Sequence, residues 1–266
     1  MTAFDRLDTS TTEVWKRARL EAHYAAQLLA AAGETLLPAD SHFHFSSAVF
    51  DPETQALVGA ILPSGAHLRL EIPTLTLEVH GADGSTAAHS LIGGTMAAGA
   101  AWLEEQLGAT LQFPSWELPA GEVRDFGTFR ADPAGHAQIA GWYDAAHRTF
   151  EAFQPPEGER SDTRVWPHHF DIAVLVTLQD DPNDPEASRT TGMGMTPGDG
   201  GIAEPYLYVT PWPYPATWTT PALPAGRWNT EGWYGAVLAG EEVVDQATVD
   251  AFIGAAYAHC AAVAGN

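Results

Sequence analysis

Apolar residues recur at helical spacing near the start of the chain. Trp15, Leu20, Tyr24, Leu28 and Leu29 follow the opening Thr11-Thr12-Glu13. The spacing predicts a helix that runs through Ala32 and is stopped by Gly33. The pattern then changes to strand-like runs over 42–50, 56–62 and 67–80, the last bent at Pro73. A turn at Gly81-Ala82-Asp83-Gly84 follows, then a small-residue helix over 91–107. Pro114, Pro119, Gly121, Gly127 and Pro133 punctuate residues 109–135. This tract reads as a connector with a strand or two, because Phe113, Trp116, Phe126 and Phe129 call for burial.

The second half repeats the order. Helices are expected over 136–153 and 245–263, with strands over 164–178, 189–195 and 206–212 between them. An acidic loop spans 180–186, and a long Pro/Trp-rich excursion reaches Val237. His44-Phe45-Ser46-Ser47-Ala48-Val49 lies over His169-Phe170-Asp171-Ile172-Ala173-Val174, and Asp51-Pro52-Glu53 echoes Asp184-Pro185-Glu186. These echoes suggest an internal duplication. The expected fold is α+β: two related helix–strands–helix halves, 1–108 and 136–266, joined by the connector 109–135, with mainly antiparallel sheets covered by helices.

Composition narrows the function classes. With 45% hydrophobic and 17% charged residues the chain can bury a core. Its formal net charge of -22 would repel a phosphate backbone and an anionic bilayer, so neither nucleic acid nor membrane is an expected partner. No run approaches the roughly 20 apolar residues of a spanning helix. The start, Met1-Thr2-Ala3-Phe4-Asp5-Arg6, lacks the pattern of a signal peptide. The expected location is cytoplasmic. The single cysteine, Cys260, falls in an Ala-rich helix and reads as packing.

Candidate chemistry gathers in the second half. Read as one strand, 164–178 places Trp166, His168 and Phe170 on one face and His169 with Asp171 on the other. An imidazole beside a carboxylate suits a general base or a metal ligand pair. His42 and His44 form a similar pair, so His42, His44, His169 and Asp171 would be the ligands if a divalent metal is bound. Period two in 206–214 aligns Tyr206, Tyr208, Thr210, Trp212 and Tyr214, with prolines on the opposite face. The prolines predict an edge strand. Its aromatic face suits a sugar, a ring, a cation or a Pro-rich peptide. Trp228 and Trp233 would form a flap over it, with Glu204 and Glu231 as candidate acids. The glycines of 192–201 precede a strand and carry no phosphate-loop lysine, and no G-x-S-x-G elbow is present.

Trp166-Pro167-His168-His169-Phe170-Asp171, Thr196-Pro197-Gly198-Asp199, residues 204–213 and Thr230-Glu231-Gly232-Trp233-Tyr234-Gly235 together resemble a bacterial family of uncharacterised proteins, domain of unknown function 5996. The resemblance covers about residues 160–240 and implies no activity. Three functions follow as expectations. The first is small-molecule binding, catalytic or not, in a cleft of His169, Asp171, Glu204 and Glu231 with Trp166, His168, Tyr206, Tyr208, Trp212 and Trp233. The second is a metal-dependent enzyme built on the two histidine pairs. The third is an interaction module whose edge strand at 204–215 takes a peptide or a second copy as a homodimer.

Overall fold

The structure is a computed structural model describing Phe4, Leu7 and residues 13–39, 43–123 and 127–265, with only the backbone of Pro185. It is an α+β fold of four α-helices and two antiparallel sheets. The chain divides into two compact units that do not follow its order: residues 11–144 with 164–171, and residues 1–10 with 145–163 and 172–266.

In the first unit, α1 (Glu13–Leu36) precedes a five-stranded meander, β1 (Val49–Asp51), β2 (Ala56–Val58), β3 (His67–Glu71), β4 (Thr76–His80) and β5 (Thr86–Ser90). The expected bent strand over 67–80 is two strands. Glu71 pairs with Thr76, and Pro73 sits in the hairpin loop between them. Leu68, Leu70 and Leu77 are buried on the inner face, and β3 lies against α1. On the outer face Arg69 reaches Asp51 at 3.0 Å and Glu78 at 3.8 Å. Strand β5 is an addition to the sequence reading. Helix α2 (Met96–Leu107) is capped by Thr95, whose hydroxyl accepts from the Ala98 N–H, and ends on Gly108 in the left-handed region. The connector forms no strand among its described residues. It is tied down by a bridge between Ile92 and Phe129 and by hydrogen bonds from the Tyr24 hydroxyl to the Pro119 carbonyl at 2.6 Å and from the Gln112 N–H to the Thr35 hydroxyl at 2.8 Å.

Gly33 does not stop α1, which continues to Leu36. Its role is tertiary: a Cβ there would lie 1.9 Å from the Phe45 carbonyl oxygen. The expected strand over 42–50 is mostly a turn in its described part, and only 49–51 is strand. The glycine lets that turn approach the helix backbone.

Helix α3 (Pro133–Ala152) belongs to the first unit through Asp144 and to the second from Ala145. The second unit's sheet is built from β6 (Glu159–Arg160), β8 (Asp171–Gln179), β9 (Arg189–Thr196), β10 (Tyr206–Trp212), β11 (Arg227–Asn229) and β12 (Gly235–Ala239). It follows the path β11-β12-β10-β9-β8-β6. The short β7 (Arg164–Trp166) lies in the first unit, where Val165 and Ala48 exchange both backbone hydrogen bonds. Helix α4 (Gln246–Val263), capped by Asp245, buries Val249, Phe252, Ala256 and Cys260 and packs on β9, β10 and β12. Among the described residues no helix is long and apolar enough to cross a membrane.

Candidate functional site

The residues singled out in the sequence fall into two sets, one in each unit. The first set lies in a turn. Residues 167–170 interrupt the expected strand over 164–178, with Phe170 at φ 54°. Period-two alternation therefore fails there, and His169 and Asp171 do not share a strand face. His169 is exposed, while Asp171 is buried.

Two buried side chains of α1 hold this turn. His23 Nε2 lies 2.7 Å from the Pro167 carbonyl oxygen, and Gln27 Nε2 donates to the same oxygen at 2.7 Å. A carbonyl accepts only, so the His23 proton sits on Nε2. The His23 ring stacks on Phe170 at 5.1 Å, and Tyr143 donates to the Phe170 carbonyl at 2.8 Å. Burial pushes the His23 imidazole down to about 4, and Arg19, His169 and His168 add to the shift against the opposing Pro167 hydrogen bond. His168 is half-buried among Phe43, Trp116 and Trp166, and its imidazole is also pushed down to about 4, by burial and then by His169. The tract is built as a docked turn, with neutral imidazoles as packing and anchoring groups.

His44 is exposed at the start of the turn beside Gly33, and His42 lies outside the described residues. Among the described residues no group of three or more His, Cys, Asp or Glu is placed to hold a metal ion, so His44, His169 and Asp171 do not form one. Each turn is fixed by a main-chain hydrogen bond, from Ser47 N to Phe43 O and from Phe170 N to Trp166 O.

The second set lies on the outer face of the second unit's sheet. β10 is not an edge strand. It pairs with β9 over 206–212 and with β12 over 206–209. Pro211 is tolerated because the β12 ladder has already ended at Val209 and Ala236. Leu207, Val209 and Pro211 face inward, while Tyr208, Thr210 and Trp212 face outward. The Tyr208 ring lies over Gly194, where a Cβ would meet its ring carbons at 2.6–2.7 Å, and Trp233 covers Gly235 in the same way. The two rings meet edge to face at 6.3 Å. Tyr206 donates to Asp199 at 2.6 Å, and Trp212 Nε1 donates to the Glu186 carbonyl at 3.0 Å.

The expected flap is part of the sheet and its packing. Trp228 sits in β11 and, with Trp218, sandwiches Tyr234, at 5.5 and 5.2 Å. Tyr234 donates to the Thr219 carbonyl at 2.5 Å, with His259 Nε2 2.8 Å from its oxygen. These contacts pin the Pro/Trp-rich excursion. Glu204 accepts from the Glu241 N–H at 3.2 Å, and Glu231 is exposed. Both belong to the second unit, whereas His169 belongs to the first.

A third place, absent from the sequence reading, has the character of a site. A cavity of about 310 Å³ in the first unit is lined by Glu13, Arg17, Leu20 and Glu21 of α1 and by Gly121, Glu122, Val123, Thr128 and Arg130. Glu21 is 1% exposed. Its Oε1 accepts from the Arg130 N–H at 3.1 Å, and its Oε2 faces His136 Nε2 of α3 at 3.4 Å. Arg17 Nη2 is held by Asp132 at 2.8 Å, and Asp132 Oδ1 accepts from the Gly135 N–H at the start of α3. The Arg130 guanidinium is paired with Glu122. Arg17 Nε, Glu21 Oε2 and His136 Nε2 are buried and have no hydrogen-bond partner. Buried polar atoms are almost always hydrogen-bonded, and here Glu21 Oε2 and His136 Nε2 meet only as a long ion-pair contact. The sequence did hold a signal. Glu21 falls one helical turn from Ala18 and Ala25 on the buried stripe of α1, where a carboxylate is out of place.

Comparisons of the chain with protein-family models, with curated proteins and with solved structures find no match.

Proposed function

We propose that this protein binds a small polar molecule in the cavity that α1 forms with Gly121, Glu122, Val123, Thr128 and Arg130. One observation carries the reading: Glu21, 1% exposed, lines that cavity together with Arg17 and Arg130, so ionisable groups of both signs meet around one small space. At about 310 Å³ the cavity lies at the small end for ligand sites, which favours a metabolite over an extended chain. The resemblance to domain of unknown function 5996 names no reaction, so the geometry alone supports this reading.

A second reading has its own support. The outward rings of Tyr208 and Trp233, laid flat on glycines, suit a stacked sugar or ring in the second unit. Thermal-shift screening of small polar metabolites separates the two. Hits on the wild-type protein should vanish in Thr128→Trp, which fills the cavity from an exposed position, and should survive in Tyr208→Ala. The opposite pattern would move the site to the aromatic face and defeat the cavity reading.

A further inference from the structure

We infer that the aromatic row Trp212, Tyr214 and Trp218 is a docking surface for an arginine-bearing basic segment of another protein. The row lies in the second unit, at the end of β10 and in the chain that follows it. Its rings are 41%, 36% and 38% exposed, in that order. Trp212 meets Tyr214 edge to face at 5.4 Å, and Tyr214 meets Trp218 in the same way at 6.0 Å. Three large rings in contact, each open to solvent by more than a third, form a continuous strip, and such strips mark contacts with other molecules. Both ends of the row are fixed. Trp212 Nε1 donates to the Glu186 carbonyl at 3.0 Å, and Trp218 stacks on the buried Tyr234 at 5.2 Å. A surface already held in place loses little freedom when a partner docks.

Charge selects the partner. The Trp212 hydrogen bond to Glu186 brings the acidic loop of Asp180, Asp181, Asp184 and Glu186 to one end of the row. Among the described residues none of these four carboxylates is in an ion pair. Arg189, the base that follows the loop, is bonded through Nε to the Ala264 carbonyl at 2.7 Å. Ring faces are negative and attract cations. Arginine meets both features, because its planar guanidinium stacks on rings and pairs with carboxylates at two points. The chain's net charge of -22 draws in a basic partner and repels an acidic one. A single small cation would cover one ring and leave the loop unmet. A segment carrying several arginines engages the rings and the carboxylates together.

The test is fluorescence anisotropy of a labelled peptide of repeated Arg-Gly-Ser, set beside its lysine counterpart, with tetramethylammonium as competitor. The arginine peptide should bind, and more tightly than the lysine peptide. Tyr214→Ser removes the middle ring and should weaken it about two- to fivefold, the worth of one exposed cation–π contact. Tyr214→Phe keeps the ring and should bind as the wild type does. Asp184→Asn with Glu186→Gln should also weaken binding. Glu53→Gln with Glu105→Gln, which removes as much charge from the first unit, should leave it unchanged, with circular dichroism confirming the fold of every variant. Equal losses in the two double variants would mean diffuse attraction to net charge and would overturn the surface. Undiminished binding in Tyr214→Ser, or no binding of the arginine peptide at all, would overturn it too. A lysine peptide that binds as tightly, or displacement by tetramethylammonium at the peptide's own concentration, would refute the arginine-bearing partner.

Discussion

Acid should weaken this protein through His23, and removing that imidazole should remove the weakness. The ring is buried against Phe170, donates from Nε2 to the Pro167 carbonyl, and has its ionisation lowered from 6.5 to about 4. Between those values the unfolded chain holds a proton that the folded chain refuses, so stability rises with pH across the window. The folded protein keeps the full benefit above about pH 6.5 and loses it as pH falls towards about 4. Linkage gives a loss of about 2 kcal/mol at about pH 5 and about 3 kcal/mol at about pH 4. His23→Phe keeps the stack on Phe170 and removes the titration. It also removes one donor, but Gln27 Nε2 still serves the Pro167 oxygen at 2.7 Å, so its cost near neutrality should be about 1 kcal/mol. Urea midpoints followed by tryptophan fluorescence at a series of pH values should therefore cross, with the wild type more stable near neutrality and the variant more stable below about pH 5.5. The net charge of -22 falls on acidification in both proteins alike, and its effect cancels in the comparison. Parallel pH profiles would refute the account of His23 as a neutral, buried anchor.

Gly33→Ala should destabilise the protein by about 2 kcal/mol, although alanine favours a helix by about 1 kcal/mol, because its Cβ would sit 1.9 Å from the Phe45 oxygen. A raised thermal midpoint would contradict this. Cys260 is buried in α4, and burial pushes its thiol up to about 12, so a disulfide reagent at about pH 8 should label it only when the protein unfolds. Fast labelling of the native protein would place the sulfur at the surface. Asp245→Ala should lower stability by about 1 kcal/mol, since the carboxylate accepts from the Thr248 N–H at 2.8 Å, whereas Asp245→Asn should lose much less; equal losses would argue against the cap.

What was legible in the sequence is what local chemistry controls. Helix α4 has an apolar stripe and an aspartate cap, and β10 has strict alternation, so both were found almost to the residue. What was missed depends on distant partners. β5 reads Thr-Ala-Ala-His-Ser and lacks the large apolar residues that announce a strand; it exists because β4 pairs with it. The turn at 167–170 would extend a strand by pattern alone, but it is bent where His23, Gln27 and Tyr143 capture its carbonyls from far along the chain. Gly33 looked like a helix stop because the need for a bare Cα came from Phe45. The edge-strand reading of β10 failed for a similar reason: proline excludes a ladder hydrogen bond only where a neighbour is present to make one, and β12 ends before Pro211.

The same distinction separates anchors from a site. Residue type had pointed to His168, His169 and Asp171, because imidazoles beside a carboxylate are the usual parts of an active centre. Hydrogen-bond accounting gives a different ranking. His23 and Gln27 both donate to the Pro167 carbonyl, Gln27 also to the His23 carbonyl, and that commitment fixes the turn carrying His168 and His169. Polar groups whose bonds are all spent on the fold hold shape and have nothing left for a ligand. Around Glu21 the bonding is looser: Asp132 holds Arg17, the Arg130 N–H meets one carboxylate oxygen, and the other faces His136 Nε2 at 3.4 Å. Two apolar side chains would cost less to bury than a carboxylate facing an imidazole at 3.4 Å, so this cluster, and not the turn of His168 and His169, carries the proposed site.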